Sequence, residues 1–494
     1  MFEAAVRARR IGLARPMVLF VAAVAVAGVA IGLWVAVRWD RETRDGGPIA
    51  SKKHHVVLIV VDTLRRDALG CYGNGRRPSP AIDAVAGQGV RFDQAISASS
   101  WTLPSVASLL TGTWPTLHGA LGKRTGRQGE RRTRLTPIRD EVITAAEVLS
   151  KSGFRTIALT NHVFVSELVH LDRGFDVFDN RPAYNKSIRR ADEMMSTALD
   201  YIRAGVDGPN FVFLHLFDPH LNYDPPGEYA SKYTGGRTAP AAPLSMKQCV
   251  DMQTKTGKGV AGPPEEDIAH ITAVYHGEVS FVDDQIGRLI GELVKMGIYD
   301  ETAILITADH GEEFWDHDRF EHGHSMYDEL IRVPLIVKLP RHITPAKRVV
   351  STQVRVLDVM PTVFEMVGVE KPESFVGNSL LPLIMGEAEP DRIAFSEGTL
   401  HGTDKISWRT DRYKYMVEFV SGDKEEARLY DWRNDPDEKE NLIEKLPDIA
   451  AKLEADLSGF HMQLEARARS MSKPTIAPES PDVTRSLKSL GYIR

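Results

Sequence analysis

With 494 residues, 43% of them hydrophobic and 26% charged, and a net charge of −6, the chain has an ordinary globular composition and the length for a large core. Neither an acidic nor a basic excess argues for nucleic acid, so no such partner is expected. The two cysteines, Cys71 and Cys249, stand far apart, and a disulfide and two unpaired thiols both stay open. In chain order, residues 1–15 read as a cytoplasmic N-terminus, because Arg7, Arg9, Arg10 and Arg15 precede a run from Pro16 to Val37 without a charged residue. A helix of that length spans about 33 Å, close to a ~30 Å hydrocarbon core. After it, Arg38, Arg41 and Arg44 are offset by Asp40, Glu42 and Asp45, and the positive-inside rule then orients the chain. A cleaved signal peptide competes, since Ala-x-Ala sites occur in the run, but its length favours an uncleaved anchor over 16–37. The expectation is a single-pass cell-membrane protein with everything after a 38–53 linker on the extracytoplasmic side.

From residue 54 to 393 strand and helix patterns alternate, which predicts an α/β domain. His55–Asp62 is an apolar run of buried-strand type that ends in an acid; Asn210–His220 and Thr302–His310 repeat the device, and Phe154–Asn161 ends in an amide. Helical patterns lie between them, for example Val142–Ser152 and Val279–Met296. Polar groups gathered at the carboxyl ends of buried strands are where open α/β sheets place their sites. Residues 227–266, rich in Gly, Pro, Ala and Lys, interrupt the rhythm and read as an insertion or lid, or as a surface loop. Short strands and turns follow over 394–470, and the box Leu429–Leu442 predicts a hairpin followed by a capped helix; 471–494 is a tail.

The segment Ser99-Ser100-Trp101-Thr102-Leu103-Pro104-Ser105-Val106, leading into Leu109-Leu110-Thr111-Gly112, resembles the signature of the sulfatase family, a Cys-x-Pro-Ser-Arg followed by a Leu-Leu-Thr-Gly helix. Aligned on Pro104-Ser105, the cysteine falls on Thr102 and the arginine on Val106. The box Leu429-Tyr430-Asp431 to Asn441-Leu442 resembles the one in the C-terminal subdomain of sulfatases. The resemblance covers about residues 54–470. It implies an alkaline phosphatase-like α/β fold, with a large mixed sheet between helices and a small C-terminal antiparallel subdomain.

By the same resemblance Asp62, Thr102, Asp309 and His310 form a metal site. Sulfatases usually carry Asp-Asp after the first strand and a calcium ion; here Thr63 replaces the second acid. An imidazole beside two carboxylates and a hydroxyl favours zinc or manganese, with calcium the alternative. Each residue also has a plainer role, Asp62 or Thr102 as a helix cap and His310 in a core hydrogen bond; their order and strand context favour the set. Asp218-Pro219-His220 resembles a substrate-contacting Pro-His element, which makes His220 a catalytic and substrate-binding candidate. The run Asp316–Tyr327 aligns with a lysine loop and offers His322 and His324 instead, with the choice between them open. Asn161 occupies the place of a second lysine and is a substrate-binding candidate, while His118 reads as structural.

Sulfatases oxidise the cysteine to formylglycine, whose second hydroxyl expels sulfate. Threonine cannot become that aldehyde, yet it offers one hydroxyl that a metal makes nucleophilic. The expected function is a metal-dependent hydrolase or transferase of phosphate esters, acting on an envelope glycan or lipid through a phosphothreonine. The alternatives are a sulfuric ester hydrolase and, from another class, an inactive binding protein.

Overall fold

The computed structural model describes residues 55–125, 132–181, 189–235, 263–419, 425–473 and 476–477. Contacts divide the chain after Lys53, and the description below concerns His54–Arg494. The expected single-pass membrane location is corrected: among the described residues no helix is long and apolar enough to cross a membrane. Residues 16–37, on which that expectation rested, lie outside the described residues, as does Cys249; Cys71 is a free thiol.

A nine-stranded mixed sheet forms the core. Its strands are β1 (His55–Val61), β2 (Val90–Ile96), β3 (Arg155–Leu159), β4 (Val177–Asp179), β5 (Asn210–Leu216), β6 (Thr302–Ala308), β7 (Arg332–Lys338), β8 (Val349–Val350) and β9 (Val354–Arg355). They run in the order β8-β2-β7-β6-β1-β5-β3-β4, with β9 also on β2. β1 pairs in parallel with β5 and β6, while β7 is antiparallel to β6 and β2. The sequence His55-Val-Val-Leu-Ile-Val-Val61 is buried from Val56 onward, because a central parallel strand is covered on both faces and tolerates no alternation.

Register carries the site residues to one edge. Val61 lies opposite Leu216 and Ala308, so the residues after β1, β5 and β6 emerge side by side. Helix α1 (Thr102–Thr111) follows β2 and is wholly buried. It stops at Gly112, whose left-handed φ of 59° suits glycine and whose N–H returns to the Ser108 carbonyl. A Cβ there would come within 2.1 Å of the Phe375 ring, so packing excludes a side chain as well.

The expected helix over 142–152 is α2 (Ala145–Lys151), begun by a capping box between Thr144 and Glu147. The helix expected from Val279 starts earlier, as part of α3 (Glu265–Lys295). Glu265, Glu266 and Asp267 suit its N-terminal dipole, and its burial begins at Ile271 and continues through Val274 and Tyr275. Of the expected 227–266 insertion, 236–262 lie outside the described residues.

The C-terminal sheet is β10 (Ala394–Glu397), β11 (Lys405–Arg409), β12 (Tyr413–Phe419) and β13 (Glu425–Asp431), all antiparallel. Period-2 alternation divides its faces. Trp408, Tyr415 and Leu429 meet Leu453 and Leu457 of α4 (Pro447–Ser470), whereas Met416 and Tyr430 meet Ile96, Leu330 and Ile331. The helix expected in the Leu429–Leu442 box begins beyond it, at Pro447.

Candidate active site

Asp62 follows β1, Asp309-His310 follow β6, and Thr102 opens α1. The His310 Nε2 atom lies 3.3 Å from Thr102 Oγ1, 3.5 Å from Asp62 Oδ1 and 3.4 Å from Asp309 Oδ2. All four side chains are buried. Ser97 and Ser105 fix this geometry from behind: both hydroxyls donate to the Asp309 carbonyl, and the two hydroxyls lie 2.7 Å apart. Ser105 of the helix motif therefore ties the first turn of α1, which Thr102 opens, to Asp309.

Both carboxylate oxygens of Asp62, and Oδ2 of Asp309, are buried without a hydrogen-bond partner. Burial, and then repulsion from Asp309 and Glu312, push the Asp62 carboxyl well above the usual range. Three buried carboxylate oxygens without a partner, this close together, call for a cation. Asp62, Asp309 and His310 each offer a ligand atom within 4.8 Å of the others. Hydrogen bonding suits His310 to the task, since Nδ1–H donates to the Gly311 carbonyl at 2.9 Å and Nε2 keeps its lone pair. Burial lowers its pKa to about 4, which keeps the ring neutral. The residues present thus fit a divalent ion.

A second cluster, Asp62 with His162 and His220, has the same spacing. The His162 tautomer argues against it as a metal site. Its Nδ1 accepts the Phe164 N–H at 3.0 Å, so in the neutral ring the proton sits on Nε2, which then donates and cannot ligate.

His220 and His322 stand beside this core. The His322 ring lies 4.4 Å from that of His310 and 5.0 Å from that of His220, centroid to centroid. Each keeps its Nδ1 proton on a fixed acceptor: His220 on the Leu221 carbonyl at 2.8 Å, His322 on Glu312 at 2.9 Å. Burial, and for His220 also its neighbour His322, lower each pKa to about 3. His324 is turned elsewhere. Its Nε2 meets Glu313 at 2.8 Å, a carboxylate that also holds the His317 and Arg319 amides. The structure therefore brings His322, not His324, against His310 and His220.

Asn161 is buried, and its amide nitrogen donates to the Arg189 carbonyl. His118 bridges Ser108 and the Ala120 N–H, in keeping with its structural reading. Sequence reasoning passed over His215. Its Nε2 is 3.7 Å from Asp309 Oδ2 and 4.0 Å from Asp62 Oδ2, and both ring nitrogens are buried without a hydrogen bond. The signal was available, because His215 pairs with Val60, two residues before Asp62 and hence on the same face.

The sulfatase family model matches residues 54–369. The chain belongs to the sulfatase family. It is a sulfatase-family hydrolase, and a model for the C-terminal part of N-sulphoglucosamine sulphohydrolase matches residues 311–463. This sulfatase-family chain is 24% identical to an uncharacterized sulfatase of Escherichia coli (strain K12), over 81% of its own length and 86% of the relative's. It is 24% identical to an arylsulfatase of Clostridium perfringens, over 79% and 90%. Among solved structures, a phosphonate monoester hydrolase of Agrobacterium radiobacter aligns with a TM-score of 0.66 at 21% identity, covering 83% of this chain and 96% of that one. A protein solved with its substrate D-glucosamine-2-N,6-O-disulfate aligns with a TM-score of 0.67 at 20% identity, covering 85% and 99%. Family members generally use a divalent metal, and the Asp62, Asp309 and His310 cluster offers one a place.

Proposed function

We propose that this chain hydrolyses or transfers phosphate or phosphonate esters through a covalent intermediate on Thr102. The observation that carries the reading is the Thr102 hydroxyl, 3.3 Å from His310 Nε2, at the start of a buried helix and beside the unpartnered carboxylate oxygens of Asp62 and Asp309. Asp62, Asp309, His310 and the Thr102 oxygen would hold the ion. Their mixed oxygen and nitrogen donors favour zinc or manganese over calcium, and His215 adds a further nitrogen nearby. When bound, a divalent ion lowers the pKa of the hydroxyl it touches and offsets charge on the transferred group. Thr102 Oγ attacks phosphorus, aided by the helix N-terminus beneath it, which favours an anion. The proton that its tautomer leaves on His162 Nε2 would be donated to the anion, and His220 and His322 would exchange protons with the leaving alcohol and incoming water.

A second reading, sulfate ester hydrolysis on a sugar, draws support from the family and from the neighbour solved with a sulfated glucosamine. Against it stands the chemistry of threonine, which lacks the second hydroxyl that expels sulfate. The deciding experiment assays aryl phosphate mono- and diesters, phosphonates and sulfates with added zinc, manganese or calcium, on wild type, Thr102→Ala and Thr102→Ser. Alanine is expected to abolish phosphorus-ester turnover, by about a thousandfold or more, while serine keeps part of it. Acid-quenched wild type should carry a phosphoryl or phosphonyl group on Thr102. Full activity in the alanine variant refutes the mechanism, and robust sulfatase turnover by wild type refutes the substrate.

A further inference from the structure

Behind His322 stands a buried relay of side chains that none of the motifs above accounts for. His322 Nδ1 lies 2.9 Å from Glu312 Oε1, and the other oxygen of that carboxylate accepts the Tyr223 hydroxyl at 2.8 Å. Glu312 and Tyr223 are buried. The backbone on which Glu312 sits is tied down as well. Its carbonyl accepts Arg65 Nη1 at 3.0 Å, and that guanidinium is held by Asp67 and Asp316. Tyr223 is packed edge-on against Tyr275, with ring centroids 5.7 Å apart.

A carboxylate offers only acceptors to these two donors, so the neutral His322 ring carries its proton on Nδ1. The lone pair then falls on Nε2, and the ring plane is fixed between His310 and His220. Glu312 follows the metal pair by two residues in Asp309-His310-Gly311-Glu312, so the same strand end supplies both the ligands and this support.

We propose that Glu312, backed by Tyr223, is a positioning residue that holds His322 Nε2 as proton acceptor for the water that releases the transferred group from Thr102. The role rests on the Thr102 reading above. In the step, the water oxygen bonds to phosphorus and the Thr102 Oγ–P bond breaks. The water proton passes to Nε2, and the threonine oxygen regains a proton from solvent. An aryl leaving group departs without such help, so loss of Glu312 slows the second half-reaction more than the first.

Rapid-quench kinetics of the full chain with a p-nitrophenyl phosphonate ester test this, comparing wild type with Glu312→Leu, Glu312→Gln and Tyr223→Phe. Glu312→Leu is expected to release a burst of nitrophenol close to one equivalent of enzyme. Steady turnover then falls about a hundredfold, the usual scale of a lost proton-transfer aid. Phosphonylated Thr102 accumulates by mass spectrometry, and KM falls together with kcat, so that kcat/KM, which reports the first half-reaction, changes little. Glu312→Gln restores part of the turnover because its amide oxygen still accepts the Nδ1 proton, and Tyr223→Phe shows a weaker form of the same partition. Equal slowing of burst and turnover, with no accumulation of modified Thr102, overturns the role while leaving the nucleophile in place. Unmodified Thr102 in every protein, wild type included, overturns the nucleophile and this role with it.

Discussion

Replacing Asp62 by asparagine should separate stability from metal binding. In the wild type both Asp62 oxygens are buried without a donor, beside Asp309, so the metal-free protein holds an uncompensated carboxyl at the carboxyl end of the central strand β1. An ion present at 100 to 1,000 times its dissociation constant adds about 2.7–4.1 kcal/mol to the folded state. With an unfolding entropy of about 2.1 cal/mol/K per residue over roughly 400 ordered residues, that raises Tm by about 3–5 °C. Asp62→Asn keeps the shape and removes the charge. Its metal-free Tm should be no lower than that of the wild type, while the increment on adding zinc or manganese disappears. Differential scanning calorimetry of both proteins, with chelator and then with metal, measures the two quantities. A variant that keeps the metal increment, or whose metal-free form melts several degrees below the wild type, refutes the placement of the ion between these carboxylates.

Asp328 accepts Arg409 at 2.9 Å and Lys414 at 3.0 Å, both wholly buried; Lys414 also has Glu438 at 2.7 Å, so Asp328→Asn leaves the buried Arg409 without its carboxylate. The expected cost of about 3–5 kcal/mol lowers Tm by about 4–6 °C, read by calorimetry. Burial pushes the Asp328 carboxyl up, but Arg409 and Lys414 outweigh it and hold the group far below the usual range. Its contribution is therefore complete above about pH 4 and lost as pH falls towards the native value, so the gap to the variant should narrow in acid. At Gly311, an added Cβ would fall 1.9 Å from the Glu329 carbonyl oxygen, and the Gly311 carbonyl orients His310. Gly311→Ala should lose bound metal and activity while staying folded, as elemental analysis beside circular dichroism will show.

Asp62, Asp309 and His310 could be read from sequence because each ends an apolar run, and parallel register obliges such ends to meet. Thr102 was legible through the helix motif that follows it. His215 escaped attention because it lies inside a strand, where a histidine looks like a packed core residue and only cross-strand register shows its neighbours. The choice between His322 and His324 was closed to sequence. It depends on the left-handed backbone at Glu321 and Gly323, with φ of 72° and 74°, and on which of the adjacent acids Glu312 and Glu313 each ring reaches. The early start of α3 was hidden by the Gly- and Pro-rich stretch before it, although its acidic first turn was in plain view.

The carbonyl of Gly398 receives both the Trp101 indole N–H and the Ser99 hydroxyl, at 3.0 and 2.9 Å, across almost three hundred residues of chain. During synthesis the threonine-bearing helix therefore leaves the ribosome long before the partner that braces the segment leading into it. The nascent chain carries Thr102 on an unbraced segment until Gly398, just after β10, has been made. A premature stop before residue 398 would then yield a chain that holds every proposed metal ligand and still lacks this brace.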